Sequence, residues 1–194
     1  MSRALLIGAM ALLVAWSTEA SANLIVNGDF ETGTFAPWNA SGDVTVDNTN
    51  PNNGSYDAAF FSGNGGSLSQ LIPTIGTNFT LSFALNNGST DPLGSSSFTV
   101  TFDGNLVASF TTLDNFGAGY ITFTLPVLTA SALTQLLFTG ANDSGDWNLD
   151  DVSLTPVAVP EPSSLWMLGG ALALLFGLSF TVTPRLRVSR KRVA

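Results

Sequence analysis

Three stretches of this chain alternate strictly in polarity. Phe79, Leu81, Phe83 and Leu85 are separated by Thr80, Ser82 and Ala84. Phe98, Val100 and Phe102 are separated by Thr99 and Thr101, and Ile121, Phe123 and Leu125 by Thr122 and Thr124. A period of two puts every second side chain on one face, so each stretch reads as a half-buried β-strand. Asp103-Gly104, between the second stretch and residues 106–110, predicts a type I′ hairpin. Further strands are predicted at 44–46, 58–61, 68–72, 133–138 and 147–154, with Gly, Asn, Ser and Asp clusters between them. The expectation is an all-β domain, an antiparallel jelly-roll β-sandwich.

Charge is distributed just as unevenly. The six basic residues are Arg3, Arg185, Arg187, Arg190, Lys191 and Arg192, so residues 23–159 contain none. Of the 14 acidic residues, only Glu19 and Glu161 lie outside that stretch. A domain with twelve carboxylates and no cation argues against nucleic acid and anionic lipid as partners. It suits Ca²⁺, which takes several carboxylate and carbonyl oxygens; the acid also serves plain solubility. The chain has no Cys and no His, which excludes disulfides, thiol nucleophiles, Ser-His-Asp triads and His-ligated zinc.

Both ends read as address labels. Arg3, an apolar core at 4–16 and Ala20-Ser21-Ala22 match a signal peptide over 1–22, with Asn23 as the mature N-terminus. Thr155-Pro156-Val157-Ala158-Val159-Pro160-Glu161-Pro162 predicts a stiff extended spacer, about 25 Å long. The uncharged run at 163–184 approaches the roughly 20 residues of a membrane-spanning helix. Arg185, Arg187, Arg190, Lys191 and Arg192 follow over 185–194, which places that end on the cytoplasmic side. An ordinary single-pass anchor on a Pro-rich stalk has the same composition.

Val159-Pro160-Glu161-Pro162, a following span and an Arg-rich end resemble the PEP-CTERM sorting signal of Gram-negative bacteria. The resemblance covers about the last 35 residues, and the three-part order carries it. It implies recognition of Pro160, Glu161 and Pro162 by an exosortase, a membrane protease of transpeptidase type. It implies export through the inner membrane, a membrane-anchored intermediate, and release to the cell surface or extracellular polysaccharide of a biofilm.

A second resemblance runs through residues 23–154. Asn27-Gly28-Asp29-Phe30-Glu31, Trp38, Ser67-Leu68-Ser69-Gln70 and the closing Asn148-Leu149-Asp150-Asp151-Val152-Ser153-Leu154 are similar to the galactose-binding-like jelly rolls that include many carbohydrate-binding modules. In such modules the first and last strands often meet around a structural Ca²⁺, which here implies Asp29, Glu31, Asp150 and Asp151 as candidate ligands. On strict alternation Asp150 shares a face with Val152 and Leu154, and an inward Asp needs a metal or backbone N–H groups. Acids that cap turns fit the same residues.

Sugar binding needs exposed aromatic rings. Trp38 and Trp147 read as core plugs, given the apolar area an indole buries. Tyr56 and Phe116, among polar loop residues, are the candidates for ligand contact. Glycoside hydrolysis needs two opposed carboxylates at a defined separation, and each acid here already has a turn or metal role. The reading is a non-catalytic binding or structural sandwich at the surface; a glycan-specific module and a small hydrolase are the alternatives.

Overall fold

A computed structural model describes residues 22–157 apart from 62, 64, 76, 77, 89–95, 115, 117, 118 and 130, together with 169 and 170. Ten strands follow in order: β1 (Asn39–Gly42), β2 (Val44–Asp47), β3 (Asp57–Phe60), β4 (Gly66–Pro73), β5 (Asn78–Asn87), β6 (Ser97–Phe102), β7 (Asn105–Thr111), β8 (Ile121–Leu128), β9 (Leu133–Ala141) and β10 (Trp147–Pro156). Sheet I has the order β1-β4-β9-β6-β7 and sheet II the order β2-β3-β10-β5-β8. The pairings are antiparallel. Two such sheets packed face to face are the expected jelly-roll sandwich.

Alternation builds the core. Leu68 and Ile72 point inward from β4, Leu136 and Phe138 from β9, and Phe98, Val100 and Phe102 from β6. Sheet II answers with Phe60, Leu81, Phe83, Leu85, Trp147 and Leu149. The rings interlock edge to face across the gap: Phe60 on Phe98 at 5.2 Å and Phe83 on Phe138 at 5.6 Å. Such contacts add about 1 kcal/mol each beyond the buried area. Trp38 plugs one side of this core as expected, with its indole N–H donating to the Asn27 carbonyl at 3.0 Å.

The β6–β7 turn holds Asp103 at φ 53° and Gly104 at φ 76°, the two left-handed residues of a type I′ hairpin. The Asp103 carboxylate also accepts from the Thr129 and Ser131 hydroxyls at 2.7 and 2.9 Å. Two features depart from the sequence reading. β1, Asn-Ala-Ser-Gly, has no alternation yet pairs with β4 from Asn39↔Ser69 to Gly42↔Gly66. The last strand runs past 154: Thr155 and Pro156 pair with Thr80 and Phe79, and Val157 N–H donates to Asn78 O at 3.0 Å.

The chain divides into two compact units, Met1–Ala158 and Val159–Ala194. In the second, only Gly169 and Gly170 are described, both helical and exposed. No helix among the described residues is long and apolar enough to cross a membrane. The expected leader up to 21 (including Ala20), the motif Val159-Pro160-Glu161-Pro162, the span at 163–184 apart from those two glycines, and the basic tail lie outside the described residues.

Candidate functional site

The start of the domain lies against its last strand. Leu24 N–H donates to Leu154 O at 2.8 Å, Val152 N–H to Gly28 O at 2.8 Å, and Leu154 N–H to Asn23 Oδ1 at 2.9 Å. The approach at Gly28 is so close that a Cβ there would stand 2.0 Å from Val152 O. Asn27, Phe30 and Asp151 all adopt φ near +53°, a conformation that costs a bulky residue such as Phe30 free energy. A surface pocket of about 300 Å³ opens at this junction, with Asn23, Asn27, Asp29, Asp151 and Ser153 on its walls.

β10 carries a bulge here. Its register with β5 shifts between Asp150 and Ser153, so Asp150 stands opposite Ala84 and Ser153 opposite Ser82. One extra residue reverses the alternation. Asp150 therefore does not share a face with Val152 and Leu154, as strict alternation predicts. It lies on the outer face of sheet II with Asn148 and is nevertheless fully buried.

The segment 48–56 accounts for that burial. Asp150 Oδ2 accepts from the N–H groups of Asn52 and Asn53 at 2.9 and 3.2 Å, and Oδ1 from Asp151 N–H at 2.7 Å. Burial pushes the Asp150 carboxyl up to about 6, against the N–H donors of Asn53, Asp151 and Asn52 that favour its charge. Asp151 Oδ2 accepts from the side-chain amides of Asn52 and Asn53 at 2.7 and 2.6 Å. Glu31 takes the far end of the segment, where Oε1 accepts from Ser55 and Tyr56 N–H at 2.7 and 2.8 Å. Gly54 makes room for it: a Cβ there would meet the Glu31 carboxylate at 2.4 Å. Asp29 Oδ1 accepts only a long 3.4 Å contact from Glu31 N–H.

Of the four acids, Glu31, Asp150 and Asp151 thus converge on one segment, and Asp29 lines the pocket beside it. The partners they show are N–H groups. No group of three or more acidic side chains gathers as a metal cage among the described residues. Any cation held here would need the carbonyl oxygens of the segment as well as the carboxylates.

Both aromatic candidates are half-buried and packed against the core. Tyr56 is half-buried on the strapped segment, with its ring 3.5 Å from where a Gly33 Cβ would stand. Phe116 does not stand clear in solvent. Its ring packs on Phe110, Phe123 and Trp147 at 5.6–5.9 Å, closing one end of the core, because that burial outweighs exposure of an apolar ring.

A further polar cluster was not legible in the chain. Asp57 opens β3 opposite Asp47 of β2 and is fully buried. Tyr120 Oη lies 2.7 Å from Asp57 Oδ2 and 2.8 Å from Asn50 O, and Asn50 Nδ2 donates to Asn148 Oδ1 at 3.2 Å. Asp57 Oδ1 has no hydrogen-bond partner. Asn148 stands close enough to favour the charged carboxylate without meeting bonding geometry at Oδ1. The only sequence signal was an Asp directly before the apolar Ala58-Ala59-Phe60.

No known family model matches this chain, and no curated protein matches its sequence. Solved structures do match its fold. The module TmCBM61, solved with β-1,4-galactotriose, superposes at TM-score 0.58 and 21% identity over 71% of this chain and 100% of its own. A family 16 carbohydrate-binding module matches at TM-score 0.54 and 18% identity, over 69% and 99% of the two chains. The enzymatically active domain of tailspike protein 4 from bacteriophage CBA120 matches at TM-score 0.52 and 19% identity, over 70% of this chain but 21% of that one. Residues 23–157 have the jelly-roll architecture that these carbohydrate-binding modules share.

Proposed function

We propose that this chain is an exported, non-catalytic glycan-binding protein of the bacterial surface or matrix. The observation that carries the reading is the sandwich itself, whose fold likeness extends over nearly the full length of two carbohydrate-binding modules. The hydrolase alternative has less behind it: the acids at the site are engaged as acceptors for N–H groups. We place the binding surface on the strapped segment, where Tyr56 offers a partly open ring and Asn52 and Asn53 are exposed amides. A glycan array including β-1,4-galactan and xylan tests it. Binding that Tyr56→Ala weakens tenfold or more supports the reading; silence on every glycan removes it.

In the same proposal, residues 1–22 direct export and Val159-Pro160-Glu161-Pro162 is handed to an exosortase before release. Asn23 at the first bonded position of the domain suits a cut after Ala22. Mass spectrometry of the mature protein tests this: ends at Asn23 and near 160–164 are expected, and an intact Ala194 contradicts processing. A structural Ca²⁺ among Asp29, Glu31, Asp150 and Asp151, joined by carbonyls of the segment, belongs to the proposal too. It is supported by the lack of any basic residue in the domain. Calorimetry with Ca²⁺ and a melt with and without EDTA decide it: no heat and no shift sink the site.

A further inference from the structure

The two ends of the sandwich expose different chemistry. One end gathers the β4–β5 loop, the β6–β7 turn, the β8–β9 loop and the close of β10, because Pro73 pairs with Leu133, Phe102 with Leu136 and Phe79 with Pro156. Nine large apolar side chains are exposed among the described residues, and six belong to this end: Leu71, Ile75, Leu106, Leu128, Leu133 and Val157. Ile75 is 93% exposed and Leu128 68%. Leu128 pairs with Asn78, whose carbonyl accepts from Val157 N–H at 3.0 Å, so Leu128 and Val157 flank one residue. Leu71 and Leu133 are diagonal neighbours on adjacent strands, Leu71 opposite Gln135 and Leu133 opposite Pro73. Single exposed apolar residues need no explanation, but a group on one end of a domain marks an interaction site.

Charge is divided the other way. The connections at this end, 74–77, 103–104 and 129–132, contain one acid, Asp103. Its carboxylate is taken by the Thr129 and Ser131 hydroxyls. The connections at the opposite end carry Asp43, Asp114, Asp143 and Asp146. The chain also leaves the sandwich at the apolar end, at Val157. Five residues, 158–162, then precede the uncharged run at 163–184. Five residues reach at most about 18 Å.

We infer that this apolar end rests on the lipid bilayer while the chain is anchored, with Ile75, Leu128 and Leu133 at the level of the headgroups. The inference rests on the reading of 163–184 as a membrane span. So short a tether holds the end at the surface, where even a weak apolar contact is made most of the time. The domain has no Lys, Arg or His to hold anionic headgroups, so the contact is apolar. Anionic lipid repels the four-Asp end and turns it away from the surface. A second anchored copy stands beside the first and so cannot cover its end. Once the chain is cut near 160–164 the tether is lost, and the apolar contact alone is too weak to keep the domain on the membrane.

Lipid quenching of the full chain in phosphatidylcholine vesicles tests this. The chain has no Cys, so one introduced thiol takes a fluorescent label at a single place. Ile75→Cys and Leu128→Cys report on the apolar end, and Leu113→Cys, exposed beyond β7 at the opposite end, is the control. With nitroxide-bearing lipids, at least twofold stronger quenching at 75 and 128 than at 113 is expected. Ile75→Asp combined with Leu128→Asp is expected to remove the quenching of a label at Leu133→Cys while the vesicles still carry the chain on flotation. Equal quenching at all three positions in a chain that floats overturns the docking and leaves the anchor standing. A label at 75 or 128 that reports an apolar surrounding without lipid quenching shows a protein partner there and also overturns it. A chain that does not float overturns the anchor reading, and the docking with it.

Discussion

The two outer faces of the sandwich are built from similar polar residues and meet opposite fates. On sheet I, Ser67, Ser69, Thr99, Thr101 and Thr139 are half-buried or exposed and face solvent. On sheet II, Asp57, Ala59, Ala84, Asn86, Asn148 and Asp150 are buried, although they point away from the core. The difference is the 48–56 segment, strapped down by Glu31, Asp150, Asp151 and the Asp57–Tyr120 pair. Small hydroxyls suit an open face because water satisfies them. Carboxylates and amides under a cover need dedicated donors, and those donors fix where the cover sits.

Removing the central strap breaks the comparison hardest. Asp150→Ala leaves three N–H groups without their acceptor and is expected to cost about 3 kcal/mol in urea unfolding. A cost near zero shows that the cover is not held from sheet II. Next comes pH. The Asp57 carboxyl lies at about 6 in the fold against an ordinary 3.8, so the fold prefers its neutral form. Its contribution is complete below about pH 4 and is lost as pH rises through 6, a change of order 1–3 kcal/mol. Asp150 shifts the same way and adds to the slope; Asp57→Asn isolates the Asp57 share. Tyr120→Phe deletes one hydroxyl that bonds to the cover and is expected to cost about 1 kcal/mol at pH 5. On sheet I, Thr139→Ala touches only the open face and should change stability by no more than about 0.5 kcal/mol.

What the chain made legible follows the same division. β6, with one wet face, announces itself by alternation, and Asp103-Gly104 announces its hairpin. β1 carries no pattern because none of its residues is buried. The bulge in β10 hides in an unbroken Asp150-Asp151-Val152 run, so the burial of Asp150 was foreseeable while its face was not. The sequence points to Glu31, Asp150 and Asp151 but not to the 48–56 segment that they share as a partner. Asp57 and Tyr120 lie 63 residues apart, and no local pattern links them.

The most direct test of the account is an NMR titration of the sandwich domain with the glycan that an array selects. The account predicts shifts concentrated at 48–56, with Tyr56, Asn52 and Asn53 foremost, and a quiet sheet I. Shifts centred on the Ser and Thr face of sheet I, or no shifts with any glycan, would contradict it.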